Sequence, residues 1–384
     1  MSRPPLLCYC QHSVGLGHLM RSYALCAALA ERFRVVLVCG GPLPAGIRPP
    51  EGVQVLALPP LGVGAAGGFI SHNPRFSVER AWAVRKERLL RAFHVVRPVA
   101  VLVELFPFGR AKFARELVPL LEAARISGAF TACSLRDILV SSRSNQQAFD
   151  DRAAVLANAH LDAVLVHSDP GFARLEETFS PSHPLRVPVY YTGFVVRDAE
   201  PVTRPRGEHI VVSAGGGLVG EPLLRAAAAA QPAIGVPMRL IAGPLMPEDA
   251  WQRLSALTGA GIELRRSVPD LGAELRAARA SVSQGGYNTA LEVIRSGVPG
   301  LIVPYATPEE DEQTRRAYRL ERLGAVRVLP AERLGRATLA AAVRRLLAFE
   351  PRPASVDLEG ARRSGRLLEE LLAGAESLVP AGRA

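Results

Sequence analysis

The amino-acid sequence predicts an α/β protein of two similar domains, each a parallel sheet covered by helices on both faces. Short apolar runs typical of strands alternate with helical patterns along both halves of the chain, the pattern that crossover helices produce. A polar, proline-rich segment at residues 197–208 separates the halves and is interpreted as a linker. Glycine-bearing turns join strand to helix in both halves. The predicted units are a first domain at 1–198, a second at 199–356, and a C-terminal helix and tail at 357–384 that packs back on the first domain.

The prediction of the first domain rests on seven strand-like runs. They are predicted at residues 6–10, 34–39, 53–58, 99–105, 130–134, 163–167 and 189–192. Helical patterns fall between them at 18–31, 77–97, 110–125 and 145–158. A glycine-bearing loop is predicted at 12–18, and a flexible apolar loop at 61–74.

The second domain repeats this alternation. Its strands are predicted at 209–213, 238–242, 262–264, 280–282, 301–304 and 326–329. The helices between and after them are predicted from 221 to about 230, at 247–257, 269–278 and 288–296, from 314 to about 323, up to 349, and at 358–373. Ligands of such sheets bind outside the carboxyl ends of the strands, so two facing domains predict a cleft between them.

Composition narrows the class of protein. The chain has 384 residues, 48% hydrophobic and 21% charged, enough for two buried cores. No apolar run approaches the ~20 residues that span a bilayer, and the N-terminus lacks a signal-peptide pattern, which predicts a cytoplasmic protein. The five cysteines form no CxxC pair and are interpreted as buried free thiols.

The net charge of +10 comes almost entirely from arginine. The arginines are spread along the chain and no nucleic-acid-binding signature accompanies them, so no nucleic-acid partner is predicted. The charge favours anionic substrates or an anionic membrane face.

The most informative stretch is residues 283–292, where a strand runs into a helix through Gly285 and Gly286. Backbone N–H groups at such a turn can approach a phosphate closely. Asn288 and Thr289 open the helix, and Glu292 lies one turn further on the same face as Asn288, where a carboxylate suits the hydroxyls of a ribose. An ordinary turn, with Asn288 as a cap and Glu292 in solvent, is the alternative.

A second glycine turn contains Gly215, Gly216 and Gly217, and Gly220 completes a G-x-G-x-x-G pattern. A dinucleotide site would also need an acidic residue at the end of the following strand. That strand, at 238–242, ends without one. The pattern therefore favours contact with phosphate over NAD binding, with a turn that binds nothing as the alternative.

The first domain offers its own candidates at strand ends. His18 follows Gly15 and Gly17 at a helix N-terminus, which favours a neutral imidazole and a general base; a histidine that only caps the helix or packs is the alternative. His12 is a candidate for substrate contact. Glu104 ends one strand, and a second strand is followed by two charged residues, Arg136 and Asp137. All three could line the cleft, or form a purely structural salt bridge.

Metal binding is not predicted. The sequence has no D-x-D pattern and no His, Cys and acid cluster with metal-ligand spacing. The acidic run at 309–312 is interpreted as a solvated helix start.

Together these residues resemble the GT-B glycosyltransferases of the family 28 type, which include a peptidoglycan N-acetylglucosaminyltransferase. The resemblance covers nearly the whole chain and is strongest at 281–313, through the turn at 285–289, Glu292, the turn at 296–299, Pro304 and the pair at 312–313. It implies a GT-B fold, two Rossmann-like domains facing across a cleft. It also implies a nucleotide-sugar donor, UDP-linked and UDP-GlcNAc-like.

The resemblance also implies residue roles. Gly285, Gly286, Asn288 and Thr289 would face the donor phosphates, Glu292 the ribose, and Glu312 with Gln313 the sugar hydroxyls. The turn at 215–217 would be a second phosphate-side loop, and the loop at 12–18 matches the family's N-terminal glycine loop ending in histidine.

That N-terminal loop, continued by Met20 and Arg21, is also similar to the start of UDP-sugar hydrolases of nonulosonate synthesis, in which the histidine activates water. The acceptor motifs of the peptidoglycan enzyme are absent, and Glu104 and residues 134–137 stand in their place.

The predicted function is an inverting, metal-independent glycosyltransferase that needs no cofactor besides its nucleotide-sugar co-substrate. His18 and Glu104 would be the catalytic residues. His12, Gly15, Gly17, Arg136 and Asp137 would lie on the side of a hydroxyl acceptor, lipid-linked or a polysaccharide. A nucleotide-sugar hydrolase and a non-catalytic nucleotide-sugar-binding protein are the alternatives. The apolar loop at 61–74 and the basic helix at 80–97 suggest peripheral contact with the inner face of a membrane.

Overall fold

The first domain is built on a seven-stranded sheet. The computed structural model describes residues 3–12, 16–43, 47–64, 68–197, 207–307 and 310–377. The strands of this sheet pair in parallel in the order β3-β2-β1-β6-β7-β8-β9. They are β1 Pro5–Cys10, β2 Arg34–Cys39, β3 Val53–Ala57, β6 Ala100–Glu104, β7 Phe130–Arg136, β8 Ala163–His167 and β9 Val189–Tyr191. The intervening helices are α1 Gly17–Leu29, α2 Val78–Val96, α3 Ala114–Ile126 and α4 Gln146–His160.

The second domain is built on a six-stranded parallel sheet in the order β12-β11-β10-β13-β14-β15. Its strands are β10 Ile210–Ser213, β11 Met238–Ile241, β12 Ile262–Arg265, β13 Ala280–Ser283, β14 Gly300–Ile302 and β15 Arg327–Val328. Its helices are α5 Glu221–Ile234, α6 Glu248–Ser255, α7 Leu271–Arg276, α8 Tyr287–Ser296, α9 Glu312–Arg322 and α10 Arg336–Leu346. The central pair is β10 and β13, with Ser213 opposite Ser283, so the turns that follow these strands are neighbours.

The core of each domain lies on both faces of its sheet. The inner strands are buried almost throughout because helices cover them on both sides, the arrangement that explains their near-continuous apolar sequences. The edge strands β3, β9, β12 and β15 are only partly buried. All five cysteines are buried free thiols. The predicted fold class, α/β with parallel sheets, is confirmed.

The chain returns to the first domain at its end. The helix α11, Gly360–Ser377, packs on α1 and contributes the buried Ala361 and Leu368 to the first domain's core. Just before it, the carbonyl of Asp357 accepts a hydrogen bond of 2.7 Å from the backbone N–H of Phe194.

Two local predictions differ from the structure. The segment predicted as a flexible loop at 61–74 contains a hairpin, β4 Leu61–Val63 paired with β5 Phe69–Ser71; residues 65–67 lie outside the described chain. Leu61 is buried in the core, and the Phe69 ring packs edge-on against Trp82 with centroids 4.9 Å apart. The apolar residues of this segment thus serve the fold.

The basic helix α2 also differs from its prediction, because one of its arginines is internal. Arg85 is fully buried, its Nε donating 2.9 Å to Glu116. Its Nη1 donates to the carbonyls of Gly40 and Pro59 at 2.6 and 2.8 Å. Arg85 therefore fixes two loops at the carboxyl edge of the first sheet and is not available to an external anion.

Candidate active site

The turns that follow β1 and β13 meet between the two domains. The side-chain amide of Asn288, at the start of α8, donates a hydrogen bond of 2.9 Å to the carbonyl of Gly17, the first residue of α1. Both helices leave the carboxyl ends of central strands, which is where open α/β sheets bind ligands. The N-termini of α1 and α8 therefore mark the candidate site, one from each domain.

His18 and Glu104 form a hydrogen-bonded pair in this place. Nδ1 of His18 lies 2.7 Å from Oε1 of Glu104, which ends β6 and is 3% exposed. Arg21, one turn further along α1, forms an ion pair with the same carboxylate, which is why an acidic side chain tolerates burial here. Leu105 follows with φ of 59°, a left-handed conformation rare for a branched residue and typical of functional sites.

The protonation of this pair follows from its surroundings. Burial lowers the pKa of His18 to about 3, although Glu104 opposes this shift. Burial alone would raise the pKa of Glu104, but His18 and Arg21 lower it below its ordinary range. At neutral pH the imidazole is neutral and the carboxylate ionised. Because a carboxylate can only accept, Nδ1–H donates to Glu104 and Nε2 keeps a free lone pair, as a general base requires.

Two more polar side chains of the first domain lie close to this pair. His12 is buried, with Nε2 2.7 Å from the carbonyl of Pro42, and its Nδ1 has no hydrogen-bond partner in the described part of the chain. Arg110 donates from Nε to the carbonyl of Gln11 at 2.9 Å. After burial, Arg110 is a main influence lowering the pKa of His12. Gly15, the remaining candidate of this loop, lies outside the described residues.

The turn at 215–217 needs glycine for its backbone. Gly215 and Gly217 have φ of 60° and 100°, a region that side chains disfavour. A Cβ on Gly217 would lie 2.6 Å from the carbonyl oxygen of Ala242. Gly216 is half-buried between them. The turn is tied to its neighbour by Gln284, whose side chain donates 3.4 Å to the carbonyl of Val219.

The turn before α8 is open on one side. A Cβ on Gly285 would lie 3.0 Å from the carbonyl of Gln313, whereas a Cβ on Gly286 would meet nothing within 4 Å. Gly286 is the N-cap of α8, and no side chain caps this helix. Asn288 therefore does not cap its own helix, as the alternative interpretation supposed, but reaches across to the first domain. An uncapped helix N-terminus suits an anion.

Thr289 and Glu292 lie deeper along α8. Thr289 is buried. Glu292 is half-buried and lines a small cavity with Asp270 of the turn before α7 and Arg276. Burial, with Asp270 adding to it, raises the pKa of Glu292 to about 7. Glu292 is therefore not in solvent.

The charged residues predicted for the two sides of the cleft pair with each other across the domains. Arg136, at the end of β7, forms an ion pair with Glu312, and both are largely buried. Asp137 is fully buried and pairs with Arg316 of α9. Gln313 accepts a hydrogen bond of 3.2 Å from the backbone N–H of Tyr305. In this conformation Asp137 and Glu312 bind protein groups, so the interpretation of residues 309–312 as a solvated helix start is wrong for Glu312.

Three residues of the site were not singled out from the sequence. Arg21 was part of the resemblance only as a motif residue. Tyr287 and Arg316 carried no signal in the sequence, because their partners in the first domain lie 92 to 179 residues away. The hydroxyl of Tyr287 donates 3.1 Å to the carbonyl of His167 and accepts 2.9 Å from the N–H of Val195. These contacts join α8 to the first domain.

Two further features of the described residues concern metal-binding clusters and membrane-spanning helices. No group of three or more His, Cys, Asp or Glu side chains among them is placed to hold a metal ion. None of the helices in the described ranges is long and apolar enough to cross a membrane.

The overall fold is similar to those of solved two-domain proteins. The structure is similar over 99% of this chain to that of CalG4, the calicheamicin glycosyltransferase, with a TM-score of 0.61 and 19% identity, covering all of that chain. It is also similar to the MurG of Acinetobacter baumannii, with a TM-score of 0.58, 16% identity and coverage of 96% of this chain and 100% of that one. These two-domain architectures are GT-B folds, and the predicted GT-B fold is confirmed.

The family resemblance lies in the second half of the chain. Residues 247–370 match the Glycosyltransferase family 28 C-terminal domain. A UDP-N-acetylglucosamine–N-acetylmuramyl-(pentapeptide) pyrophosphoryl-undecaprenol N-acetylglucosamine transferase of Chromohalobacter salexigens is 31% identical over 129 residues, 33% of this chain and 35% of that protein. The enzyme of the same name from a Thermotoga species is 35% identical over 77 residues, 20% of this chain and 22% of that protein. The chain thus aligns with about a third or less of these relatives, and the predicted resemblance to family 28 GT-B glycosyltransferases is confirmed there.

Proposed function

We propose that this protein transfers a sugar from a UDP-linked nucleotide sugar, of the UDP-GlcNAc type, to a hydroxyl acceptor with inversion. The observation that carries this proposal is the pair of His18 and Glu104 beside the uncapped N-terminus of α8, with Asn288 bonded to Gly17 between them. A base and a diphosphate site in one cleft are the two parts that this reaction needs.

The reaction is a single displacement. Nε2 of His18 accepts the proton of the acceptor hydroxyl while its oxygen forms a bond to the anomeric carbon. The bond from that carbon to the phosphate oxygen breaks, and its electron pair leaves with UDP. Glu104, bonded to Nδ1, stabilises the imidazolium that forms. The positive end of α8 and the N–H groups of the two glycine turns stabilise the leaving diphosphate, with no metal ion or cofactor required.

The donor lies on the second domain in this proposal. Gly285, Gly286 and Asn288 face the phosphates with the turn at 215–217 and Thr289, and Glu292 binds the ribose hydroxyls. Glu312 and Gln313 contact the sugar, which requires Glu312 to exchange part of its contact with Arg136 for the ligand. The relatives' name specifies UDP-N-acetylglucosamine, which supports this donor class.

The acceptor lies on the first domain, beside His12 and Arg110. The hydrogen bonds of Arg110 within the described chain go to the carbonyls of Gln11 and Gly109, so its charge is not bonded to a carboxylate there. A half-buried cation close to the base, without a carboxylate bonded to it, supports an acceptor that carries an anionic group. The relatives are named for a pyrophosphoryl-undecaprenol acceptor, a lipid-linked anion of this kind. Contact with a membrane surface stays a hypothesis.

Hydrolysis of the same donor is the second candidate. It is favoured by Arg21, the arginine of the hydrolase-like start, because this side chain binds Glu104 directly. Water would then replace the acceptor hydroxyl at Nε2 of His18.

Release of UDP from a panel of UDP-sugars, with and without membrane extract, tests the proposal. Release that requires extract, and that falls on the order of 10²–10⁴-fold in His18→Ala, supports the transferase. His94→Ala is the matched control, because His94 is exposed on α2. Release with stoichiometric free sugar and no acceptor supports the hydrolase. Failure of every UDP-sugar to bind, measured by calorimetry, contradicts the donor assignment.

A further inference from the structure

Helix α9 links the two domains through two arginines. Arg316 pairs with Asp137, and Arg319 pairs with Glu177, an acid in the short 3₁₀ helix Leu175–Glu177 of the first domain. The two pairs differ in their surroundings. Arg316 and Asp137 are fully buried, whereas Glu177 is 41% exposed. Of these two arginine pairs on α9, one is fully buried and the other is partly exposed, with Arg319 13% and Glu177 41% exposed.

Only the buried pair touches the candidate donor turn. Nε and Nη2 of Arg316 donate to the two carboxylate oxygens of Asp137 at 2.7 and 2.8 Å. Nη1 donates 2.8 Å to the carbonyl of Gly285. A guanidinium is planar, so fixing two of its nitrogens on Asp137 fixes the direction of the third. The first domain therefore determines, through Arg316, where the carbonyl of Gly285 is held.

The ring of Tyr287 continues this connection toward the base. It lies between Arg316 and Arg21, whose guanidinium carbons are 5.7 and 5.2 Å from its centroid. Arg21 in turn contacts Glu104. Tyr287 is the first residue of α8 and directly follows the glycine turn. The start of this helix is therefore packed between an arginine of the first domain and one of the second.

Breaking the fully buried Arg316–Asp137 pair costs more than breaking the partly exposed Arg319–Glu177 pair. If the domains separate, Arg316 and Asp137 must both find water or remain unpaired, and a buried charge without its partner is strongly unfavourable. Released from Asp137, the guanidinium can rotate, and the carbonyl of Gly285 loses its fixed donor.

We propose that Arg316 is a positioning residue that holds the Gly285–Gly286 turn in its ordered form only while Asp137 is engaged. Domain closure and an ordered donor turn are then one event. The name of the ligand rests on the function proposed above, but the coupling between Asp137 and the turn does not.

Hydrogen exchange of the ligand-free protein tests the coupling directly. In Asp137→Asn, the amides of residues 285–288 should exchange faster by on the order of 10-fold, the size of a typical coupling between sites. Glu177→Gln is the matched control, because it removes an interdomain ion pair on α9 that does not touch Gly285, and it should leave these amides unchanged. Equal exchange at 285–288 in both variants and the unmodified protein overturns the proposal.

A second variant tests the same coupling if Asp137→Asn does not fold. Arg316→Lys keeps the charge opposite Asp137 but has one nitrogen in place of the three that bond Asp137 and Gly285, so it does not reproduce their fixed planar arrangement. It should also raise exchange at 285–288, and unchanged exchange in a folded Arg316→Lys overturns the proposal.

The affinity for a UDP-sugar gives the independent readout. Asp137→Asn should raise the Kd and the KM for the donor on the order of 10-fold, with a smaller change in kcat, while Glu177→Gln changes neither. Equal donor affinity in the two variants contradicts the coupling. If the unmodified protein binds no UDP-sugar, the proposed function fails, and the exchange rates alone decide whether Asp137 controls the turn.

Discussion

His18 and Glu104 come from separate elements, α1 and the end of β6, and bring Nδ1 and Oε1 to 2.7 Å. Glu104 lies 86 residues further along the chain, and its second partner, Arg21, returns to α1. The carboxylate thus orients the imidazole and is itself held by a cation, which leaves Nε2 as the basic nitrogen.

Replacing Glu104 tests this orientation. In Glu104→Gln the amide can still bond Nδ1 but no longer stabilises an imidazolium, so kcat should fall on the order of 10²-fold or more while the Kd for the donor changes little. Steady-state kinetics and calorimetry measure the two quantities. A variant with normal kcat would show that the dyad is not used. Glu87→Gln, at an exposed site on α2, is the control for a loss of one carboxylate.

The buried histidines predict a pH dependence of stability. Burial, followed by the charge of Arg21, lowers the pKa of His167 to about 3, while the unfolded chain takes up the proton below about 6.5. The unfolded state then binds more protons between these values, so stability falls as the pH decreases. In His167→Asn the free energy of unfolding should fall about 1 kcal/mol less between pH 6.5 and 5.5 than in the unmodified protein.

Urea unfolding at the two pH values measures this difference. His94→Asn, at an exposed position, should keep the slope of the unmodified protein. An unchanged slope in His167→Asn would show that His167 is protonated in the folded protein.

Glu292 predicts an effect of the opposite sign. Its pKa of about 7 exceeds that of a free glutamate, so the folded protein favours the protonated form and loses stability as the pH rises from about 4.5 to 7. Glu292→Gln should therefore be more stable than the unmodified protein at pH 8, by about 1–3 kcal/mol, and should bind the donor more weakly.

Thermal unfolding at pH 8 and pH 5, with donor titration, checks both halves of this prediction. Glu332→Gln, at an exposed position, is the control. Stabilisation of equal size at both pH values would contradict the titration of Glu292 as its cause.

The proposed role of Arg110 in binding an anionic group of the acceptor can be tested by substitution. Arg110→Gln should raise the KM for an anionic acceptor on the order of 10-fold or more, as the loss of a charged hydrogen bond implies, and leave the KM for the donor unchanged. Kinetics with acceptors that carry or lack the anionic group measure the difference. Arg88→Gln, an exposed arginine on α2, should change neither constant, and equal losses for charged and uncharged acceptors would refute an anion site at Arg110.

Removal of the Tyr287 hydroxyl should lower the stability of the protein. Tyr287→Phe removes the hydroxyl that bonds the carbonyl of His167 and the N–H of Val195, leaving both buried groups without this partner. The free energy of unfolding should fall by about 1–3 kcal/mol. Tyr318→Phe makes the same change at a side chain that is 41% exposed and should have little effect; equal losses in the two variants would contradict the role of these bonds.

The alternation of strands and helices could be predicted along most of the chain, because burial on both faces gives each strand a short apolar run and each helix a periodic one. The prediction failed at 61–74, where glycine-rich apolar sequence indicated a loop and the structure has the hairpin β4–β5. The hairpin is stabilised by packing of Phe69 on Trp82. This tertiary contact cannot be predicted from the local sequence.

The parallel α/β class and the candidates at strand ends, such as His18, Glu104 and the turn before α8, could be predicted from the amino-acid sequence, because the order of elements shows which residues lie at the carboxyl edge of a sheet. The partners of these residues became known only from the folded structure. It joined Glu104 to His18 and Arg21, withdrew Asp137 into a buried pair with Arg316, and turned Asn288 toward Gly17. These contacts connect residues up to 271 positions apart, so local sequence does not specify them. The contact of α1 with the end of β6 sets the partners of Glu104 within the first domain, and the packing of the two domains sets those of Asp137 and Asn288.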